Sequence, residues 1–159
     1  MTNLLIDIGN SSAKVAVSEN RKIIKDFKFI ELDTNKILDI INEYNIQNSA
    51  LSIVSKPNEM LKNILIDNTS FYSFSNEIKI PINFSYKLSD VGDDRLALMV
   101  AAYYDFPNDN VLVIDMGTCI TYDIKTCNNN YKAGGISPGL KMRIKSISDG
   151  AFKLNKIIP

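Results

Sequence analysis

Two acids in this sequence each close an apolar run and are followed directly by a glycine and a short polar residue. The first opens Asp7-Ile8-Gly9-Asn10-Ser11-Ser12-Ala13-Lys14, and the second opens Asp115-Met116-Gly117-Thr118-Cys119-Ile120-Thr121. An acid at a strand end can hold Mg²⁺ through water. The glycine permits a tight turn whose backbone N–H groups, hydroxyls and amide face a polyphosphate. Alone, Asp-x-Gly-Asn is also a common hairpin turn. Two such ends, at equivalent places in a repeated unit, are what a cleft needs to grip a nucleotide's phosphates from both sides. The competing reading is two unrelated turns.

A third group, Val91-Gly92-Asp93-Asp94-Arg95, leads into Leu96, Ala97, Met99 and Val100, which share a helical face. Acids at a helix start often serve only as caps that complement the dipole. Arg95 suits that role badly, because a cation in the first turn opposes the dipole. An Asp–Arg pair suits an anionic substrate, the arginine taking a carboxylate and the acid a hydroxyl proton. A fourth group, Ala133-Gly134-Gly135-Ile136-Ser137-Pro138-Gly139-Leu140, puts Pro and Gly at a strand-to-helix junction. There the backbone can approach a ligand and a helix N-terminus favours phosphate. A plain tight turn accounts for the same residues.

Composition narrows the chemistry further. The chain has 159 residues, 45% of them hydrophobic, and a formal net charge of zero. That is enough apolar content for a buried core. The neutral balance and a pI near 6.3 argue against a nucleic-acid partner, which needs a basic face. No apolar run approaches the roughly 18 residues of a membrane span. The acid at position 7 interrupts the first apolar run, which argues against a signal peptide. With no histidine, and with Cys119 and Cys127 the only cysteines, neither a zinc site nor a histidine-based triad is expected. The expectation is a soluble cytoplasmic protein with reduced thiols, whose acid–base groups are carboxylates, lysine or tyrosine.

The elements that must position these residues follow from periodicity. Strands are expected at 3–8, 13–18 and 22–31 as an antiparallel meander, then a helix from Thr34 with Ile37, Leu38, Ile40, Ile41 and Tyr44 inward. A strand at 50–54 comes next, then a helix opened by Pro57 with Met60, Leu61, Ile64 and Leu65 inward. Residues 68–91 read as irregular, and a helix covers about 94–105. The pattern then restarts, with strands at 111–115, 119–124 and 131–136 and a helix led by Pro138-Gly139. Asp7 and Asp115 lie 108 positions apart, as an internal duplication with a boundary near 107–110 would place them. The domains expected are 1–108 and 109–159, the second incomplete.

Taken together and in this order, the four stretches resemble the motif set of the type III pantothenate kinase family. The matching elements are Asp-x-Gly-Asn-Ser-x-x-Lys at 7–14, Gly-x-Asp-Arg at 92–95, Asp-x-Gly-Thr at 115–118 and the Gly-rich stretch at 134–140. The resemblance implies an α/β, ribonuclease H-like fold of the actin/sugar-kinase/Hsp70 type, with duplicated domains, each a mixed sheet flanked by helices. It implies ATP-dependent phosphorylation of pantothenate, the first step of coenzyme A biosynthesis, by a cytoplasmic homodimer using Mg²⁺ or a similar divalent metal and K⁺ or NH₄⁺. Asp7, Ile8, Gly9, Asn10, Ser11, Ser12, Ala13, Lys14 and Thr118 are the implied ATP contacts. Tyr86, Gly92, Asp93, Asp94 and Arg95 are implied to hold pantothenate, with Asp94 as proton acceptor and Asp115 on the monovalent cation.

Three departures and two alternatives accompany this reading, the first being that Tyr86 stands one residue short of the family's spacing before Gly-x-Asp-Arg. Ala133-Gly134 stands where the family has paired glycines, and the family continues past residue 159, through further strands and a substrate-contacting threonine. The expectation is therefore that residues 1–159 alone turn over little pantothenate. A truncated remnant that binds nucleotide without catalysis is one alternative, favoured by the end at Pro159. Another small-molecule kinase of the superfamily is the second, and the Gly-x-Asp-Arg element argues against it.

Overall fold

Period-two alternation of apolar side chains builds the first hairpin. β1 (Thr2–Ile8) buries Leu4 and Ile6 and pairs antiparallel with β2 (Ala13–Glu19), which buries Ala13, Val15 and Val17. Asn20 and Arg21, at φ of 50° and 65°, turn the chain into β3 (Lys22–Phe29), antiparallel to β2. These coordinates are a computed structural model that describes residues 1–54, 58–73, 80–85, 87 and 90–150.

Past β3 the apolar spacing changes to that of a helix. α1 (Thr34–Glu43) starts at Asp33, whose carboxylate accepts from the Asn35 N–H at 2.9 Å, and it buries Ile37, Ile40 and Ile41. β4 (Asn48–Ile53) then runs parallel beside β1. α2 (Glu59–Asn68) is capped by Asn58, whose side chain accepts from the Leu61 N–H at 3.0 Å, and β5 (Ser70–Ser73) adds a parallel strand next to β4. The strand order is β3-β2-β1-β4-β5. The inward residues of α1 and α2 join Leu4, Ile6, Val15, Val17 and Leu51 in one cluster on one sheet face. Each such fully buried aliphatic side chain contributes about 1.5–3 kcal/mol.

Residues 93–150 form α3 (Asp93–Asp105), the antiparallel meander β6 (Val111–Met116), β7 (Cys119–Lys125) and β8 (Tyr131–Pro138), and then α4 (Leu140–Gly150). The expected α/β class, with a mixed sheet flanked by helices, is the class the chain adopts. The chain divides into two compact units, Met1–Ile78 with Gly92–Asp94 and Lys79–Val91 with Arg95–Pro159. In the second unit one face of β7 is buried although it is polar, carrying Thr121, Asp123 and Lys125. The Lys125 ammonium donates to the carbonyls of Phe106, Pro107 and Asp109 at 2.7, 3.1 and 3.2 Å. Three donors meet three acceptors just past the C-terminus of α3, which is how a buried charge is tolerated. The opposite face exposes Leu112, Ile114 and Met116, and α4 buries no side chain.

Several details differ from the expectation. Met60 is 65% exposed instead of inward, because α2 presents Leu61, Leu65 and the partly buried Ile64 to the cluster. β5 lies within a stretch expected to be irregular, its four residues recruited by the free edge of β4. The buried face of α3 is Leu96, Met99 and Ala102, with Ala97 and Val100 only partly covered. Pro57 and Tyr86 lie outside the described residues.

Candidate active site

Strict alternation along β1 puts Asp7 on the sheet face opposite Leu4 and Ile6, so its carboxylate is not part of the apolar cluster. Register then fixes its neighbours, Lys14 directly across on β2 and Ser52 directly across on β4. The Ser52 hydroxyl donates to Asp7 Oδ1 at 3.2 Å, a partner that spacing in the sequence does not reveal. Beyond β1 the chain turns through Gly9–Ser12, closed by the Gly9 N–H donating to the Ser12 carbonyl at 3.1 Å. Asn10 and Ser11 lie exposed at the tip of this turn, with Lys14 exposed at the start of β2.

The same sheet end receives the start of α3. Beyond β4, the Val54 N–H donates to the Ile8 carbonyl at 3.1 Å. A Cβ on Gly92 would stand 3.7 Å from the Val54 side chain and 2.6 Å from Asp94 Oδ1. The Asp94 carboxylate thus lies in the space that a Cβ at position 92 would take. Burial pushes the Asp93 carboxyl above the usual carboxylate range; a hydrogen bond with the Ile53 backbone opposes the shift and the charge of Asp94 reinforces it. Asp7, the Gly9–Ser12 turn, Gly92, Asp93 and Asp94 thus converge outside the carboxyl ends of the parallel strands β1 and β4. That is where open α/β sheets bind ligands.

In the second unit, β6 and β7 join through a tight turn at Gly117 and Thr118, where the Gly117 N–H donates to the Cys119 carbonyl at 2.9 Å. Asp115, half-buried on β6, pairs across with Thr121. The Gly139 N–H donates to the Thr118 carbonyl at 3.0 Å, and a Cβ there would overlap the carbonyl oxygens of Gly117 and Thr118. The close backbone approach expected of the Pro138-Gly139 junction is therefore made to the chain's own 117–118 turn. Arg95 donates from Nε to Asp123 Oδ2 at 2.8 Å and from Nη2 to Asp123 Oδ1 at 2.5 Å. Tyr131 Oη adds a donation to Asp123 Oδ1 at 2.7 Å. Sequence reasoning singled out Arg95 but not Asp123 or Tyr131.

The profile of the family described as type III pantothenate kinase matches residues 3–158. The chain belongs to this family. It is 36% identical over 160 residues to a type III pantothenate kinase of Christiangramia forsetii, covering 99% of this chain and 66% of the relative. It is 33% identical over 157 residues to one of Phocaeicola vulgatus, covering 98% of this chain and 65% of that relative. The chain thus spans about two thirds of the length of the curated relatives it matches. Among solved structures, an Aquifex aeolicus Ppx/GppA phosphatase matches 98% of the chain and 57% of its own at 15% identity and a TM-score of 0.48, too distant to argue from.

At the end of β1 the donor set is the Asp7 carboxylate beside the polar Gly9–Ser12 turn. Among the described residues no three His, Cys, Asp or Glu side chains converge as a metal cage. One carboxylate beside a polar turn suits an ion that keeps most of its waters and shares nucleotide phosphates, as Mg²⁺ does. No helix among the described residues is long and apolar enough to cross a membrane.

Proposed function

We propose that the whole protein transfers the γ-phosphoryl group of ATP to the primary hydroxyl of pantothenate, giving 4'-phosphopantothenate, the first step towards coenzyme A. One observation carries this reading. The Asp7–Ser12 turn and Gly92–Asp94, far apart in sequence, meet at the carboxyl ends of β1 and β4. A phosphate-suited turn beside a carboxylate pair is the minimum that phosphoryl transfer needs, since that chemistry is chiefly positioning and charge neutralisation.

In this reading the turn from Asp7 to Lys14 surrounds the ATP phosphates, and Thr118 adds a further contact. Asp7, oriented by Ser52, holds the divalent metal, which supplies charge neutralisation on the phosphates. Gly92, Asp93, Asp94 and Arg95 hold pantothenate, with Tyr86 as a further contact. Asp94 accepts the proton of the primary hydroxyl as its oxygen bonds to the γ-phosphorus and the bond to the bridging oxygen of ADP breaks. Asp115 is the ligand of a monovalent cation, K⁺ or NH₄⁺. The protein acts in the cytoplasm as a homodimer.

The test is a panel of phosphate acceptors incubated with γ-labelled ATP, Mg²⁺ and K⁺. Label passing to pantothenate and not to hexoses or N-acetylated amino sugars is the expected result. Label passing to a sugar would replace this reading with that of a sugar kinase. Nucleotide binding with no transfer to any acceptor would select a binding remnant.

A further inference from the structure

Ser52 is a polar residue in a buried place. β4 turns Leu51 and Ile53 towards the apolar cluster, so alternation turns Ser52 to the opposite sheet face, which it shares with Asp7. Parallel pairing sets the two residues side by side, and Ser52 is only 8% exposed there. Its hydroxyl donates to Asp7 Oδ1 at 3.2 Å, the one hydrogen bond of that carboxylate among the described residues. The distance is long for a hydroxyl on a carboxylate, so the bond orients more than it strengthens. No cage of three acidic or sulfur ligands surrounds Asp7 among the described residues. How its own two oxygens are used therefore decides how the chain meets an ion.

We propose that Ser52 is a specificity-determining residue, which by engaging Oδ1 leaves Asp7 one oxygen for a cation and so favours Mg²⁺ over Ca²⁺. The proposal rests on the reading of Asp7 as the residue that holds the divalent metal. Mg²⁺ demands near-octahedral geometry and keeps several waters, so one carboxylate oxygen suffices, directly or through water. Ca²⁺ takes about 6–8 oxygens and accepts both oxygens of one carboxylate. A hydroxyl that donates to Oδ1 competes with the second of those contacts and with none that Mg²⁺ needs. Held in strand register, the serine also fixes the rotation of the carboxylate. Without the hydroxyl Oδ1 is released, and Ca²⁺ gains a ligand oxygen for which Mg²⁺ has no use.

The test loads the full chain with Mn²⁺ and ADP and displaces the Mn²⁺ with Mg²⁺ or with Ca²⁺, followed by electron paramagnetic resonance. The ratio of the two displacement constants is compared between variants, since the nucleotide's own preference is common to all of them. Ser52→Ala should shift this ratio towards Ca²⁺ about three- to tenfold, the effect of one net hydrogen bond. A purely structural Ser52 would lower the melting temperature and leave the ratio of the folded protein unchanged. If Ser52→Ala does not fold, Ser52→Cys decides, because a thiol is a weak donor on the same stem and should shift the ratio in the same direction. Asp7→Asn should weaken Mn²⁺ binding outright. A ratio unchanged in Ser52→Ala, or in Ser52→Cys where that variant decides, with Mn²⁺ binding weakened in Asp7→Asn, would overturn this proposal alone. Mn²⁺ that the wild type does not bind, or that Asp7→Asn binds as tightly, would overturn the metal role of Asp7 on which it rests.

Discussion

At position 92 a single hydrogen atom in place of a side chain decides where a carboxylate sits. A Cβ there would come within 2.6 Å of Asp94 Oδ1, the end of a flexible side chain and not backbone. Gly92→Ala should therefore fold normally, because the clash is relieved by rotating Asp94. Rotating that carboxylate misplaces the proposed base, so turnover should fall about 10–10²-fold. Thermal melting and steady-state kinetics on the same sample check both halves; an alanine that leaves turnover intact would show that the Asp94 rotamer is immaterial. Asp93 yields a pH prediction. Its folded-state pKa is raised, so the folded chain binds more protons than the unfolded chain between the ordinary carboxylate range and the raised value. Stability attributable to Asp93 is therefore lost as pH rises through that window. Asp93→Asn should raise the melting temperature at pH 7 and give no gain near pH 3, where both states are protonated. An equal gain at both pH values would assign the effect to something other than ionisation.

At the scale of elements, the two candidate phosphate turns are held in different ways. The Gly9–Ser12 turn closes on itself, whereas the 117–118 turn is pinned by the start of α4 through Gly139. Gly139→Ala forces a Cβ against two backbone carbonyls that cannot rotate away. It should destabilise the second unit by about 1–3 kcal/mol and raise the KM for ATP. Urea unfolding and ATP kinetics test this, and an unchanged midpoint would mean that the turn yields easily. Strands β1 to β4 and β6 to β8 were legible in the sequence because each alternates or runs apolar between turn residues. β5 was not, since Ser-Phe-Tyr-Ser pairs only because β4 offers an edge. The acids and glycines of the site were legible as turn chemistry. Ser52 and Asp123 were not, because their partners lie 45 and 28 residues away and only strand register or tertiary packing brings them close.

For the whole molecule, we propose a duplicated unit, with 1–108 and 109–159 as its copies. The element order β-β-β-α that opens the chain recurs in β6-β7-β8-α4. The two sheets treat their second faces differently. In β1 the outward positions include Asn3 and Asp7, while in β6 they are Leu112, Ile114 and Met116, at 58%, 50% and 75% exposure. Contiguous apolar surface of this kind drives association. The chain of 159 residues should therefore sediment with a concentration-dependent mass, and the double variant Ile114→Lys, Met116→Lys should sediment as a monomer with an unaltered far-UV spectrum. A wild type that stays monomeric at every concentration would show that the face is not adhesive.

The proposed role of Asp7 and Asp94 is to move a phosphoryl group onto pantothenate at one sheet end. Its most direct test is the steady-state rate of phosphopantothenate formation by wild type, Asp7→Asn and Asp94→Asn, with KM and kcat resolved for each. Asp94→Asn should lower kcat about 10²–10⁴-fold with little change in the KM for pantothenate, since the amide still hydrogen-bonds the hydroxyl. Asp7→Asn should lower turnover by a comparable factor by removing the proposed metal ligand. A near-normal rate in Asp7→Asn, or an Asp94→Asn effect confined to KM, would contradict the account.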